Sequence, residues 1–153
     1  MRLDLEAFGE KVFSRELMRI GQNAGDMRPA FDTIHDVMMG ASSRQFTTQG
    51  GYSGGWAPLA ASTIRRKAVK GLDPRILHAT LRLRNSLTTA SHPDHIYRRT
   101  ADEMFVGSRV PYGGYHQRGN GNMPRRRPVD FSSGGGPRVK NDIVKILQRH
   151  LLG

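Results

Sequence analysis

The feature that most constrains the fold of this 153-residue chain is a stripe of apolar residues between Met27 and Ala41. Met27, Phe31, Ile34, Met38 and Ala41 recur at spacings of 4, 3, 4 and 3, which puts them on one face of an α-helix that needs a cover. Asp26 precedes the stripe as an N-cap and Pro29 is tolerated in a first turn, so the helix is predicted to begin there and run to about Phe46. Methionines also suit partner grooves, but the stripe reads as core, packed on another helix or a sheet.

The neighbouring segments supply the cover. In residues 2–8, Leu3, Leu5 and Ala7 alternate with Arg2, Asp4 and Glu6, the period of a half-buried edge strand. A helix is expected from about residue 10 to 23, with Phe13, Leu17, Ile20 and Ala24 on one face and Asn23 and Gly25 as terminators. Thr47–Gly55 carries four glycines and no apolar period, so it reads as a mobile loop. Trp56, backed by Pro58 and Leu59, reads as a core plug beneath that loop. Pro58 then opens a short helix bearing Arg65, Arg66, Lys67 and Lys70, which Gly71 ends.

Residues 76–87 read as another helical stretch, with Leu77, Leu81 and Ser86/Leu87 inward and Arg75, Arg82 and Arg84 outward. His95–Thr100 and Met104–Ser108 alternate around a turn, a β-hairpin pattern. Pro111–Gln117 has room for one or two helical turns closed by Gly119. Residues 120–137 are rich in Gly, Pro, Arg and Ser, with one short strand expected at 128–131. Val139, Ile143, Ile146/Leu147 and His150/Leu151 mark a final amphipathic helix. The order predicts an α+β fold: a small antiparallel sheet of three or four strands covered by helices, with long Gly/Arg-rich loops at about 47–55 and 119–137.

Composition narrows the class. The length suits a single domain spanning 1–153, and 37% apolar residues with eighteen Gly and eight Pro imply a modest core with long surface excursions. With no cysteine, disulfides and thiolate metal sites are excluded. No apolar run approaches the ~20 residues of a membrane span, and the N-terminus lacks the apolar stretch of a signal peptide, so synthesis in a cytoplasm is expected. Charge is uneven: residues 1–50 hold six Lys/Arg against seven Asp/Glu, residues 51–153 eighteen against six, within a net charge of +11. That excess points to one surface facing a polyanion or an acidic protein.

Catalytic constellations are hard to assemble from these residues. His92, Asp94 and His95 sit around a proline that breaks any ligand-aligning helix, and a metal needs three or four converging ligands. His78 and His116 lack a nucleophile in a triad context and read as structural. Only four Asp and one Glu lie between residues 71 and 130, without the paired arrangement that two-metal nuclease chemistry requires. The clusters GGYSGG and SSGGGP lack phosphate-loop spacing and read as hinges or adaptable loops. Arg125, Arg126 and Arg127 between Pro124 and Pro128 are held extended, able to reach phosphates or carboxylates. Tyr112 and Tyr115 beside His116 and Arg118 suit interface anchors better than base-stacking platforms.

Three blocks carry a resemblance: GGWAPLAASTIRRK at 54–67, ILHATLRLRNSL at 76–87 and PYGGYHQRG at 111–119, trailed by PRRRPVDF at 124–131. Trp56, Pro58, Leu59, Thr63 and Lys67 match a W-x-P-L…T…K block; Ile76, Leu77, Thr80, Leu83, Arg84 and Ser86 match I-L-x-x-T-G-x-L-R-x-S. Val106, Gly107 and Ser108 end a strand before a Y-A-x-x-H-Q-x-G block, met by Tyr112, His116, Gln117 and Gly119, and Pro124, Arg127 and Pro128 close the series. In this order they resemble the phage virion-morphogenesis (tail-completion) family, including the Mu G-like neck and tail proteins. Leu81 stands where the family has glycine, Gly113 where it has alanine, and Val129-Asp130-Phe131 replaces a tighter aromatic after R-P.

The resemblance implies a structural, non-enzymatic protein of the head–tail junction, commonly a homo-oligomeric ring, without cofactor. Its implied neighbours are tail tube or terminator proteins and head connector proteins, with contact to genomic DNA where the basic half faces it. Its implied place is the virion neck or tail, and the host cytoplasm during assembly. Arg65, Arg66, Lys67, Tyr112, Tyr115, His116, Arg118, Arg125, Arg126 and Arg127 are the expected interface side chains. The competing class is a basic nucleic-acid-binding packaging or regulatory accessory, which would need a reader helix or sheet that the sequence does not display.

Overall fold

A computed structural model describes residues 2–4 and 25–152. The helix expected at about 10–23 and the remainder of the 2–8 strand lie outside the described residues.

Helix α1, Arg28–Thr47, is the organising element. Met27 and not the expected Asp26 takes the N-cap position, without a side-chain cap bond. The Asp26 carboxylate, one residue further out, accepts the Arg28 N–H at 3.0 Å, and Pro29 occupies an early position where its missing donor costs no helical hydrogen bond. The whole stripe is buried: Met27, Phe31 and Ile34 have no exposed surface, and Met38 and Ala41 have 4% each. Helix α2 is Ala61–Val69, α3 is Arg82–Thr88, α4 is Gly113–Arg118 and α5 is Gly136–Leu152. Helix α5 lies antiparallel against α1: the His150 imidazole donates to the Asp26 carbonyl at one end, and Ser133 N–H donates to the Tyr52 carbonyl at the other. Val139, Ile143 and Leu147 of α5 join α1 in one hydrophobic core with Leu83, Leu87 and Met104.

The fold is α+β. Strands β2, His95–Arg99, and β3, Glu103–Ser108, form the expected hairpin, in register from His95 opposite Ser108 to Arg99 opposite Met104. A third strand, β1, Arg2–Asp4, runs parallel to β3 with Arg2 opposite Glu103, at the edge of the order β1-β3-β2. The antiparallel part of the sheet is therefore two strands, not the three or four expected. Residues 128–131 add no strand, because they are tied to side chains and not to a sheet edge: Gln117 donates to the Val129 carbonyl at 2.8 Å and accepts the Val129 N–H at 3.3 Å.

A buried polar chain fastens the hairpin to α1 and α3. Val110 N–H donates to Ser108 Oγ, the two hydroxyls of Ser108 and Ser86 are 2.7 Å apart, and Ser86 donates on to the Leu83 carbonyl. The His95 Nδ1–H donates to the Ser86 carbonyl at 2.7 Å, while its Nε2 meets His35 Nε2 at 2.8 Å. His35 stacks on Tyr97, whose hydroxyl donates to Asp32, and Arg99 closes the set on the same carboxylate.

Two expectations change. Of the 76–87 stretch only residues 82–87 are helical, as part of α3, since Leu77 and Leu81 take φ of +60° and +57°. That rotates the pattern: Leu83 and Leu87 turn inward, and Leu81 is left outward. Residues 47–55, expected to be a mobile loop, form a tight knot around a 3-10 turn at Gly51–Ser53. Gln45, fully buried, donates to Ser53 Oγ and accepts the Tyr52 N–H, and Trp56 N–H donates to the Gln49 carbonyl. Gly50, at φ +92°, has no room for a Cβ because the Trp56 ring fills that space. Gly134, at φ +58°, is likewise pressed against the Gly51 carbonyl, so the two glycine clusters pack on each other.

Candidate functional site

The sequence blocks converge. Residue 57 and Pro58 are bridged by Arg126, whose Nε donates to the Ala57 carbonyl at 2.7 Å and whose Nη2 donates to the Pro58 carbonyl at 2.8 Å. The Trp56 indole N–H and the Gln45 amide both donate to the Arg127 carbonyl, each at 2.9 Å. The Ile76 N–H donates to Gln49 Oε1 at 2.6 Å, drawing the second block onto the knot that leads into the first. Arg126 N–H donates to the His116 carbonyl, drawing in the third.

Between these joined segments lies a groove of about 660 Å³, within the ~300–1,000 Å³ typical of binding clefts. Leu59, Ile76, Leu77, Leu83, Met123 and Pro124 make its lining largely aliphatic. Arg66, Lys67, Arg82, Tyr112, His116 and Arg126 supply the polar part. The exposed large apolar side chains of the described residues are Ile64, Val69, Leu81, Tyr112 and Tyr115, all on α2, the 76–81 turns and the start of α4, the elements that frame the groove.

The ten expected interface residues divide into two sets. Arg65, Arg66, Tyr112, Tyr115, Arg118 and Arg125 are exposed. Lys67 and Arg126 are only 7% exposed and turn their charges onto main-chain oxygens, Lys67 Nζ donating to the carbonyls of Asp73 and Arg75 at 2.8 and 2.6 Å. Burial pushes both below their ordinary pKa values. Arg127 is half-buried and pairs with Asp130 at 2.9 Å. His116 is half-buried, edge-on to Tyr112; its Nδ1 is sealed without a partner, and burial with the nearby Arg126 charge lowers its pKa.

The histidines considered as ligands or bases have other duties. Asp94 pairs with Arg82 at 2.6 Å, His92 Nδ1 accepts the Asp94 N–H, and His95 points to His35, so the three do not converge. His78 is buried, donates to the Ile76 carbonyl and lies edge-on to Phe46. Among the described residues no group of three or more His, Asp or Glu is placed to hold a metal ion. Ser86 and Ser108 bond each other, and His95 reaches the Ser86 carbonyl rather than its hydroxyl, so no nucleophile–base pair is formed. Sequence reasoning missed Gln45 and Gln49 and had Gln117 only as a match in a family block; these are the buried or half-buried amides that stitch the blocks together. Their only signal was a glutamine beside each glycine or tyrosine cluster.

The phage virion morphogenesis family matches residues 10–153. The chain belongs to that family. The match covers every block that frames the groove, and it does not single out the Mu G-like proteins. No curated protein and no solved structure matches the chain significantly. No helix among the described residues is long and apolar enough to cross a membrane.

Proposed function

We propose that this chain is a structural protein of the phage head–tail junction, completing the tail or joining it to the head as a closed ring. Membership of a virion morphogenesis family gives the broad role, in assembly of the particle. One observation carries the finer reading: the blocks shared with the family meet around one open, aliphatic groove edged by cations and by the exposed Tyr112. Such a surface suits docking, with rigid aromatics as anchors. Catalysis needs a converging set of acid, base or nucleophile, and the groove offers instead cations bound to carbonyls and a desolvated histidine.

On this reading the protein is not an enzyme, uses no cofactor and sits in the neck or tail of the virion. Copies contact one another head to tail around a ring, a heterologous interface that closes on itself. The partners above and below are tail tube or terminator proteins and head connector proteins. Particles produced without this chain, viewed by electron microscopy, should show heads and tails that fail to join, and adding the purified chain should restore joining. Normal, infective particles in its absence would overturn the proposal.

The exposed Arg65 and Arg66 of α2 and Lys70 at its C-cap, without ion-pair partners among the described residues, favour a second reading, a nucleic-acid-binding accessory. Sequence-dependent binding of duplex DNA by the isolated monomer at physiological salt would select it. A virion role predicts that association with partner rings weakens steeply with added salt.

A further inference from the structure

Five arginines of the described residues are matched to carboxylates. Arg28 pairs with Asp26, Arg75 with Asp73, Arg82 with Asp94, Arg99 with Asp32 and Arg127 with Asp130. Lys67 and Arg126, the most buried cations of the described residues, pair with none, although both line the groove. Carbonyl oxygens accept from both, and Asp73, the carboxylate that acts on Lys67 from a distance, is itself bound to Arg75. Neither desolvated charge therefore has an ion-pair partner among the described residues, in surroundings where a charge costs most. The remaining lining is chiefly aliphatic.

From this complementarity we infer that the groove receives an extended segment of a different polypeptide in which a carboxylate side chain is flanked by aliphatic residues. The aliphatic floor excludes nucleic acid as the occupant, since a phosphate backbone offers nothing to Leu59, Ile76, Leu83 and Met123. Among the described residues the exposed large apolar side chains Ile64, Val69, Leu81, Tyr112 and Tyr115 adjoin no Asp or Glu in sequence, so the described surface of a second copy offers no such segment. Identifying the partner as another virion protein rests on the proposed function; the acidic, aliphatic chemistry of the occupant does not. The carboxylate would neutralise the buried pair while its neighbours cover the floor, the pattern of an anchored core with a charged rim.

The test is fluorescence anisotropy with a labelled peptide GSLDLLSG, its asparagine analogue GSLNLLSG, and the serine analogue GSSDSSSG. Binding of the first, at least ~10-fold tighter than either analogue, is expected, with a Kd below about 1 mM. Ala79→Trp, which fills the groove from an exposed position, should abolish it with no change in thermal midpoint. Arg126→Gln should remove the preference for aspartate over asparagine; if that variant does not fold, Arg66→Glu on the rim should weaken the aspartate peptide several-fold. Equal affinity for all three peptides, no binding at about 1 mM, or binding indifferent to Ala79→Trp would each overturn the inference. Wild-type self-association that Ala79→Trp abolishes in sedimentation would also overturn it, by showing a second copy in the groove. Ala79→Trp protein that restores head–tail joining as well as wild type refutes the groove while leaving the structural role standing. Failure of the wild type to restore joining refutes the role instead.

Discussion

The hairpin side and the groove side of this molecule treat charge in opposite ways. Against the hairpin, Asp32 accepts from Tyr97 and Arg99 and is thereby held below the usual carboxylate range, and His35 is pressed between Tyr97 and His95. Every group there answers another group of the same chain. Against the groove, Lys67 and Arg126 have only backbone oxygens, and tyrosines and aliphatic side chains face outward. The hairpin side is complete once folded. The groove side leaves its two most buried cations without an ion pair among the described residues.

Equal damage to both sides is the strongest way to break this contrast. Phe31→Ala empties a fully buried site and should lower the unfolding free energy by about 3–5 kcal/mol in urea denaturation. Leu59→Ala on the groove wall should cost less than about 1 kcal/mol, as its side chain is already part-exposed. Similar losses from the two would erase the distinction between a sealed and an open half.

Lys67→Met comes next. It keeps the stem but strands the carbonyls of Asp73 and Arg75, so a loss of about 1–3 kcal/mol is expected in the same assay. An unchanged midpoint would mean that water replaces the ammonium and that the cation is held for a partner alone.

A smaller effect appears in pH. Burial, then the neighbouring His95, lowers the pKa of His35, and burial, then Arg126, lowers that of His116. Both stay neutral in the folded chain while the unfolded chain binds protons. Their stabilisation is complete above about pH 6.5 and is lost as pH falls through the depressed folded values. Thermal midpoints should therefore drop on acidification below about pH 6.5, and His35→Phe should flatten part of that slope. A midpoint that rises on acidification would contradict the assignment.

The smallest expected effect is a gain. Leu81 holds φ +57° with much of its side chain exposed, so Leu81→Gly should raise stability by up to ~1 kcal/mol by relieving left-handed strain. A loss would show that Leu81 packs in a way its exposure does not reveal.

These residues also mark what a sequence can and cannot disclose. The stripe from Met27 to Ala41, the hairpin and the Val139–Leu147 face were legible because their periods are local and strong. The turns at 76–81 were not, because Ile76, Leu77 and Leu81 mimic a helical period while two positive φ values break it. The family pattern held the clue, a glycine where Leu81 stands. Charge was legible as a count but not as a direction. Lys67 and Arg126 look like surface cations until the carbonyls of residues 57, 58, 73 and 75 are seen to need donors. The glycine clusters misled in the same way: composition speaks of freedom, and only the folded chain reveals that the clusters rest on each other.

That glycine-to-glycine seam has a practical bearing on labelling. Glycine-rich stretches are the customary places to splice an epitope or a fluorescent tag, yet here residues 50–55 and 133–136 brace the end of α1 against the start of α5. A tag placed there would pry the two longest described helices apart. The exposed turn at residues 89–91 and the hairpin tip at 101–102 are the sites where a reporter would leave that brace intact.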